Sequence, residues 1–327
     1  MTSKKKAVVL MQFGGPDSME AVVPFLYNLF CDPDIIQIPL RFILQKPLAK
    51  LISRARAKHA QHGYQEMGGK SPINELTASQ MKSLQRTLDE HYGAGQIIVT
   101  LAMRYWKPFT DEAVKFLQQQ NITDVLLLPL YAQYSVTNAG SSFHEWDRSV
   151  KRIGSKFNER RVKEFYKNEQ YIAAFNDRID SVLRKFSSPD NVYILFSAHG
   201  TPVDLVKKGD PYSLQIQETV QLVMAARSGK NRYSLAYQSK VGPKKWLEPS
   251  TEDETLRLIS EGHKDILVVP IAFVSDHIET IHELGDELRH TAEKAGANQF
   301  EVTEGLNASP LFIQALKEIC IRELDLL

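Results

Sequence analysis

The sequence predicts an α/β protein of two similar domains, each built on a parallel sheet flanked by helices. Three observations carry that expectation. Continuous apolar runs alternate with longer amphipathic stretches, a loop–helix–strand unit recurs 141 residues further along the chain, and the length of 327 residues is about twice the ~150 typical of one domain. The apolar runs fall at residues 7–11, 97–102, 125–130, 192–196, 233–237 and 266–274. They are continuous stretches rich in Val, Ile and Leu rather than alternating, as strands buried on both faces require. Helical patterns occupy residues 111–119, 252–260 and 277–294. In sheets of this kind ligands bind at the loops that follow the carboxyl ends of the strands, so the chemistry is sought there.

The repeat aligns residues 104–135 with 245–276 without a gap. Pro108 falls on Pro249, Thr110 on Thr251, Leu117 on Leu258, Asp124 on Asp265, Leu126 on Leu267 and Pro129 on Pro270. Thr110 and Thr251 have the look of helix N-caps, the second with Glu254 completing a capping box. The repeated strand ends differently in the two copies, in Tyr131-Ala-Gln-Tyr134-Ser135 and in Ser275-Asp276-His277-Ile278-Glu279. Diverged strand ends on a repeated scaffold suggest two halves of one cleft. The boundary is placed in the basic stretch 151–167, giving domains 1–160 and 161–327, with the last helix free to pack back on the first domain.

Composition narrows the function. Forty Lys and Arg against 39 Asp and Glu leave a formal charge of +1, without the basic excess of a nucleic-acid binder. Two cysteines, Cys31 and Cys320, can neither form a disulfide framework nor supply four thiolates to an iron–sulfur cluster. The longest apolar run, residues 266–274, contains Pro270 and is about half a membrane span, and the start has no signal-peptide core. A cytoplasmic protein is expected. The stretch from Phe25 to Ile52 mixes Ile, Leu and Phe with Arg41, Lys46 and Lys50. It reads either as a helix and loop packed on the core or as an exposed apolar lip suited to a membrane surface or a greasy ligand.

His199 follows the run at residues 192–196, after Ser197 and Ala198, and precedes a Gly and Pro stop, which places an imidazole at a strand's carboxyl end. There it can ligate a divalent metal or take a proton, or it can be a satisfied turn histidine. Glu279, Glu283 and Glu287, at i, i+4 and i+8, form one carboxylate row if helical, able to relay protons or pass on a cation. The competing reading is a capped helix start at Asp276 and Glu279 with a solvated face behind it. Phe13, Arg104, Tyr105, Trp106, Tyr131, Tyr134, Lys240 and Trp246 gather near strand ends, suited to stacking on a flat ligand and holding its carboxylates, or to packing between domains. No dinucleotide fingerprint, P-loop, H-E-x-x-H, C-x-x-C or G-x-S-x-G occurs.

Phe196-Ser-Ala-His-Gly200, taken with the segment from Pro270 to Thr280, resembles the ferrochelatase family, whose members insert ferrous iron into a porphyrin to make haem. Further matching segments run from Leu10-Met-Gln-Phe-Gly-Gly-Pro-Asp17 through Gly68-Gly-Lys-Ser-Pro-Ile73, Met103-Arg-Tyr105, Gln133-Tyr-Ser135 and Gly209-Asp-Pro-Tyr212. Beyond them come Gln238-Ser-Lys-Val-Gly-Pro243, Trp246-Leu-x-Pro249 and Leu306-Asn-Ala-Ser-Pro-Leu-Phe312. The resemblance implies the chelatase fold, two Rossmann-like domains with a porphyrin cleft between them. It implies that His199 and Glu279 face each other across the porphyrin, with His277 beside Glu279 on a helix that carries a local widening. Phe13, Arg104, Tyr105, Tyr131 and Trp246 map to cleft-lining positions, and Arg56, Ser71 and Lys240 to groups that hold the propionates.

By the same resemblance, Glu283 and Glu287 continue a proton or metal path, and the Phe25–Ile52 lip corresponds to a cleft rim that faces the bilayer in membrane-associated members. Phe13 stands where relatives carry Met or Tyr, and Ala132 replaces a frequent Pro. The cysteines of the cluster-containing branch are lacking, so iron is expected as substrate, without a permanent cofactor or iron–sulfur cluster. The segment 238–243 and the lip resemble the protoporphyrin-using group. Coproporphyrin III as substrate, and a non-catalytic tetrapyrrole carrier, are the alternatives.

Overall fold

The computed structural model describes residues 5–36, 40–227, 231–240 and 244–327. The chain divides into two compact units, one comprising Met1–Glu164 with Ile313–Leu327, the other Phe165–Phe312. In the first, β1 (Lys6–Gln12), β2 (Ile97–Met103), β3 (Asp124–Pro129) and β4 (Asn158–Arg161) form a parallel sheet in the order β2-β1-β3-β4. In the second, β5 (Tyr193–His199), β6 (Tyr233–Gln238), β7 (Asp265–Pro270) and β8 (Gln299–Val302) repeat that order as β6-β5-β7-β8. All pairings are parallel, and helices connect the strands, as parallel crossovers require. The apolar runs are β1, β2, β3, β5, β6 and β7; in the central β1 and β5, Val8, Val9, Leu10 and their counterparts Ile194, Leu195, Phe196 are wholly buried.

The internal repeat is structural. The helix Thr110–Gln119 and β3 lie 141 positions before the helix Thr251–Ser260 and β7, element for element. Leu117 and Leu258, matched by the repeat, are both fully buried beneath their sheets. Each helix follows a cis X-Pro bond, at Lys107–Pro108 and Glu248–Pro249. The following carbonyl groups are held alike, Met103 N–H donating to Pro108 O at 2.7 Å and Tyr237 N–H to Pro249 O at 2.9 Å. Each copy also leads into a π-helical segment, Val136–Gly140 and Glu279–Leu288.

The helix caps sit one residue earlier than the threonines suggest. Ser250 accepts from Asp253 N–H at 3.0 Å, and Phe109 N–H donates to Glu112 at 2.6 Å. Thr251 instead turns inward, where its hydroxyl meets that of Ser197 at 2.9 Å. β7 stops at Pro270, before the end of the apolar run. Ile271 and Val274 remain buried in the turn beyond it, and Ile271 N–H still donates to Ser197 O of β5 at 2.9 Å.

β4 and β8 are four residues each, Asn-Glu-Arg-Arg and Gln-Phe-Glu-Val, at the edges of their sheets and half exposed. Their polar composition gives no apolar run to read. β4 is tied down by side chains: Trp146 Nε1 donates to Glu159 at 2.8 Å, and Arg160 pairs with Glu323 at 2.8 Å. Glu323 lies on the helix Pro310–Leu324, whose end also accepts Lys6 Nζ at 2.7 Å on the carbonyl of Leu324.

The Phe25–Ile52 region contains residues 37–39, outside the described set. Around them, the helix Val22–Phe30 buries Val22, Phe25, Leu26 and Phe30. The long helix Arg41–Glu66 is inverted. Its buried stripe is Gln45, Ala49, Ser53 and Ala57, spaced four apart, with the Gln45 amide donating to Phe30 O at 2.9 Å. Its bulky apolar residues point outward, Ile43 at 70% and Leu51 at 67% exposure, beside Lys46 and Lys50. Ala49, Ser53 and Ala57 let this part of the helix approach the core closely and leave Ile43 and Leu51 in solvent, while Tyr64 is buried near its end. Among the described residues no helix is long and apolar enough to cross a membrane.

Candidate functional site

In the second unit the chemistry gathers where β5 and β7 end. His199 is the last residue of β5, and Gly200 after it must be glycine: a Cβ there would lie 2.9 Å from Gln238 O and 3.3 Å from the Trp246 ring. That close approach allows Gly200 N–H to donate to Gln238 O at 2.7 Å, which locks the end of β5 to β6. The imidazole stands between Trp246 and Phe273, with ring centroids 6.4 Å from each. Its Nδ1 lies 2.6 Å from Gly200 O, an acceptor only, so Nδ1 carries a proton, and in the neutral ring the lone pair is on Nε2. Nε2 faces Glu279 Oε1 across 3.9 Å, too far for a hydrogen bond. Both side chains are partly open, at 37% and 21%.

Glu279 opens the π-helical segment Glu279–Leu288. Its Oε2 accepts from Ser239 Oγ at 3.1 Å, and the same hydroxyl reaches Glu283 Oε2 at 3.3 Å. Ser239 holds a left-handed backbone, φ 66°, rare for a residue with a Cβ, which brings its hydroxyl to both carboxylates. Gln238, whose amide lies 3.4 Å from Glu279 O, is itself fixed by Ser197 Oγ at 2.7 Å.

The wider helical turn also explains where the carboxylate row ends. Residues i and i+5 share a face, and Glu287 Oε1 sits 3.4 Å from Nε2 of the buried His282. Glu279 and Glu283, four apart, meet around one serine, while Glu287, half exposed, pairs with a histidine five residues before it.

The turn before the helix is fastened by Asp276. Its carboxylate accepts from Gly305 N–H at 2.9 Å, Thr280 Oγ1 at 2.9 Å and Asn307 Nδ2 at 2.7 Å, while its own N–H donates to Asn307 at 3.0 Å. Gly305 can carry no side chain, since a Cβ would lie 2.9 Å from Asp276 N. His277 packs its ring on Phe273 at 4.4 Å, and its Nδ1 lies 3.2 Å from Ser275 O. Burial holds its imidazole below the ordinary range, against the opposing pull of Glu279 and Asp276, so it is neutral near pH 7. Tyr212 donates to His199 O at 3.1 Å, and burial keeps that hydroxyl protonated.

The first unit brings Phe13, Arg104, Tyr105 and Tyr131 to the carboxyl ends of β1, β2 and β3. Arg104 and Tyr105 N–H donate to Gln12 O at 2.8 Å and Phe13 O at 3.0 Å. Phe13 meets Tyr105 edge-on at 4.6 Å and Phe25 at 6.1 Å. Tyr105 is 1% exposed, and its hydroxyl donates to Asp32 at 2.5 Å. Burial and the Asp32 carboxylate push that hydroxyl well up. Arg104 forms an ion pair with Asp32 at 2.9 Å. Burial pulls its guanidinium down, but Tyr105, Asp32 and the nearby acids outweigh it. Burial likewise raises the Tyr131 hydroxyl.

Of the residues expected to hold propionates, Arg56 is exposed on the helix Arg41–Glu66. Ser71 is buried, its hydroxyl so close to Gly15 that a Cβ there would lie 2.6 Å from it. Lys240 is exposed, next to residues 241–243, which lie outside the described set. Asp32, Ser141, Ser239, His282 and Asn307 are the residues whose roles the sequence did not announce; Ser239 and Asn307 sit inside matching segments, whereas Asp32 and Ser141 meet only through the fold. Among the described residues no three His, Cys, Asp or Glu side chains converge as a metal site.

A family model described as Ferrochelatase matches residues 5–324. The ferrochelatase of Aquifex aeolicus (strain VF5) is 45% identical over 320 residues, covering 98% of this chain and 99% of that one. That of Gloeobacter violaceus (strain ATCC 29082 / PCC 7421) is 46% identical over 320 residues, covering 97% of each. Among solved structures, SirB from Bacillus subtilis with Fe3+ aligns with a TM-score of 0.56 at 12% identity, covering 98% of this chain and 95% of that one, a likeness of fold.

Proposed function

Because the chain belongs to the ferrochelatase family, it inserts ferrous iron into a porphyrin, and we propose that the porphyrin is protoporphyrin IX and that His199 and Glu279 act at the metal. Insertion demands three things: water must leave Fe2+, two pyrrole protons must leave the ring, and the rigid macrocycle must bend so that its nitrogens meet the ion. The observation that carries the assignment is the His199–Glu279 pair. A basic Nε2 and a carboxylate oxygen face one gap of 3.9 Å, each oriented from behind, His199 by Gly200 O and Glu279 by Ser239.

Nε2 accepts a pyrrole proton or ligates the ion through the same lone pair. Glu279 offers an anionic oxygen that replaces water on Fe2+, and Glu283, sharing Ser239, stands next along the path for ions or protons. Neutral His277 adds no charge to repel the ion. Phe13, Tyr131 and Trp246 supply apolar walls against which the ring is held bent. Arg56, Ser71 and Lys240 are the propionate partners in this reading. The outward Leu40, Ile43, Leu44 and Leu51, set beside Lys46 and Lys50, suit a peripheral contact with an anionic membrane surface, from which an apolar porphyrin is supplied. With two cysteines in the chain, iron is assigned the role of substrate alone, without an iron–sulfur cluster.

The test is anaerobic metal insertion, with Fe2+ supplied and protoporphyrin IX and coproporphyrin III run in parallel. Loss of porphyrin fluorescence with a metalloporphyrin spectrum reports turnover. Faster use of protoporphyrin is expected, and preference for coproporphyrin overturns the substrate assignment. His199→Ala is expected to abolish insertion while porphyrin still binds. Substantial residual turnover would sink its role, and binding without turnover in the unaltered protein would mark a carrier.

A further inference from the structure

A buried charge cluster in the first unit has no part in the chemistry above. Asp32 is 1% exposed, and both of its oxygens are engaged. Oδ2 receives Arg104 Nη2 at 2.9 Å, the Tyr105 hydroxyl at 2.5 Å and the Ser141 hydroxyl, while Oδ1 receives Asp34 N–H at 2.9 Å. Ser141 in turn accepts Arg104 Nε at 2.8 Å. The guanidinium is thus held by a carboxylate and a hydroxyl on one side, and only 10% of the side chain is exposed. The second carboxylate nearby, Glu145, lies 3.6 Å from Arg104 but belongs to Arg148 at 2.9 Å and Arg152 at 3.3 Å. Arg152 also meets Asp111 at 2.5 Å. Arg104, Arg148 and Arg152 stand against Asp32, Glu145 and Asp111, and the Asp34 carboxylate also acts on Arg104, so the cluster has no excess of positive charge.

We propose that Asp32 determines specificity by cancelling Arg104: the wall at Phe13 and Arg104, backed by the buried Tyr105, presents no net positive charge and gives a substrate no gain for carboxylates beyond the two of a dicarboxylic porphyrin. The proposal rests on the reading that this wall faces the porphyrin. Asp32 acts through Arg104 and is a positioning residue. With Nε on Ser141 and Nη2 on Asp32, the side-on donor fork is already taken and the charge is balanced, which leaves little with which to recruit a propionate. A tetracarboxylic porphyrin would have to bring its extra anions against that low-dielectric wall and desolvate them without compensation.

The test compares kcat/KM for coproporphyrin III and protoporphyrin IX in the unaltered protein and in Asp32→Asn, Arg104→Met and the double variant. Asp32→Asn uncovers the arginine, and the coproporphyrin-to-protoporphyrin ratio is expected to rise about tenfold at low salt and fall back at high salt, as for one unit charge acting over several ångströms. Arg104→Met leaves the Asp32 charge uncompensated, and the ratio moves the other way. The double variant returns near the starting ratio. Removing one member of a buried pair threatens folding, so thermal melting is recorded for each variant. If Asp32→Asn does not fold, the direction of the Arg104→Met shift decides. A scaffold defect would slow both porphyrins alike, so an unchanged ratio, or one shifted the same way in both single variants, overturns the proposal. Absence of turnover in the unaltered protein overturns the functional reading beneath it, and shows before any substitution is made.

Discussion

Asp276 is the most informative place to perturb the second unit without touching a reacting group. Asp276→Ala removes three accepted hydrogen bonds, from Gly305 N–H, Thr280 Oγ1 and Asn307 Nδ2, all at 2.7–2.9 Å. Each bond to a charged acceptor contributes about 1.5 kcal/mol net, and the residue is half-buried, so the loss should come to about 3–4 kcal/mol. Asp276→Asn keeps one oxygen for Gly305 and Thr280 but presents an amide to Asn307, for a loss near 1–2 kcal/mol. The same bonds set the path of the chain into Glu279, and a shift of about 1 Å there costs roughly a hundredfold in rate. Urea unfolding of the second unit's signal and Fe2+ insertion are measured on both variants. Stability within about 0.5 kcal/mol of the parent together with unaltered turnover would show that the Asp276–Asn307 clasp does not hold the site, and the reasoning would fail.

Three further outcomes follow from the same geometry. Glu279→Gln should nearly abolish insertion, whereas Glu287→Gln, at the half-exposed His282 pair, should reduce it less than fivefold; equal effects in steady-state assays would refute the order of the path. The folded state holds the His277 imidazole below its unfolded value of about 6.5, so it binds fewer protons than the unfolded chain; stability is complete above that value and declines as the pH falls below it. Melting temperature against pH should therefore fall more steeply below pH 6.5 in the parent than in His277→Gln, and parallel curves would contradict the shift. Leu117→Ala and Leu258→Ala, fully buried partners in the repeat, should each cost about 2–5 kcal/mol in chemical denaturation, and a loss below 1 kcal/mol at either would show that its core is not closely packed.

What the sequence made legible was whatever produced a periodic or continuous signal. The central strands were readable because burial on both faces demands continuous stretches rich in Val, Leu and Ile, and the repeat located a helix and a strand in each half. Asn158–Arg161 and Gln299–Val302 gave no such signal, since strands of four residues at a half-exposed edge carry too few apolar positions to form a run. The three spaced glutamates invited a straight row, and Glu279 and Glu283 do meet at Ser239, but an i, i+5 contact in the π-helical segment takes Glu287 to His282. Arg104 reads from sequence as a free cation near an aromatic group. Its partner Asp32 is 72 positions away, and no local pattern announces a contact made only by tertiary folding. The apolar residues of 40–51 read equally as core or lip until the small-residue stripe at 45, 49, 53 and 57 showed which face is inward.

The short polar strands at the rims have a consequence for the protein in bulk. An open parallel sheet leaves a row of unused N–H and C=O groups along its margin, a template on which another chain can polymerise. Here one margin of each sheet is four residues long and carries charge, with Arg161 on Glu159, Arg160 on Glu323, and Glu301 within 3.7 Å of Arg289. A foreign strand would have to break those pairs for at most four residues of pairing, which disfavours fibre growth along these margins when the protein is concentrated.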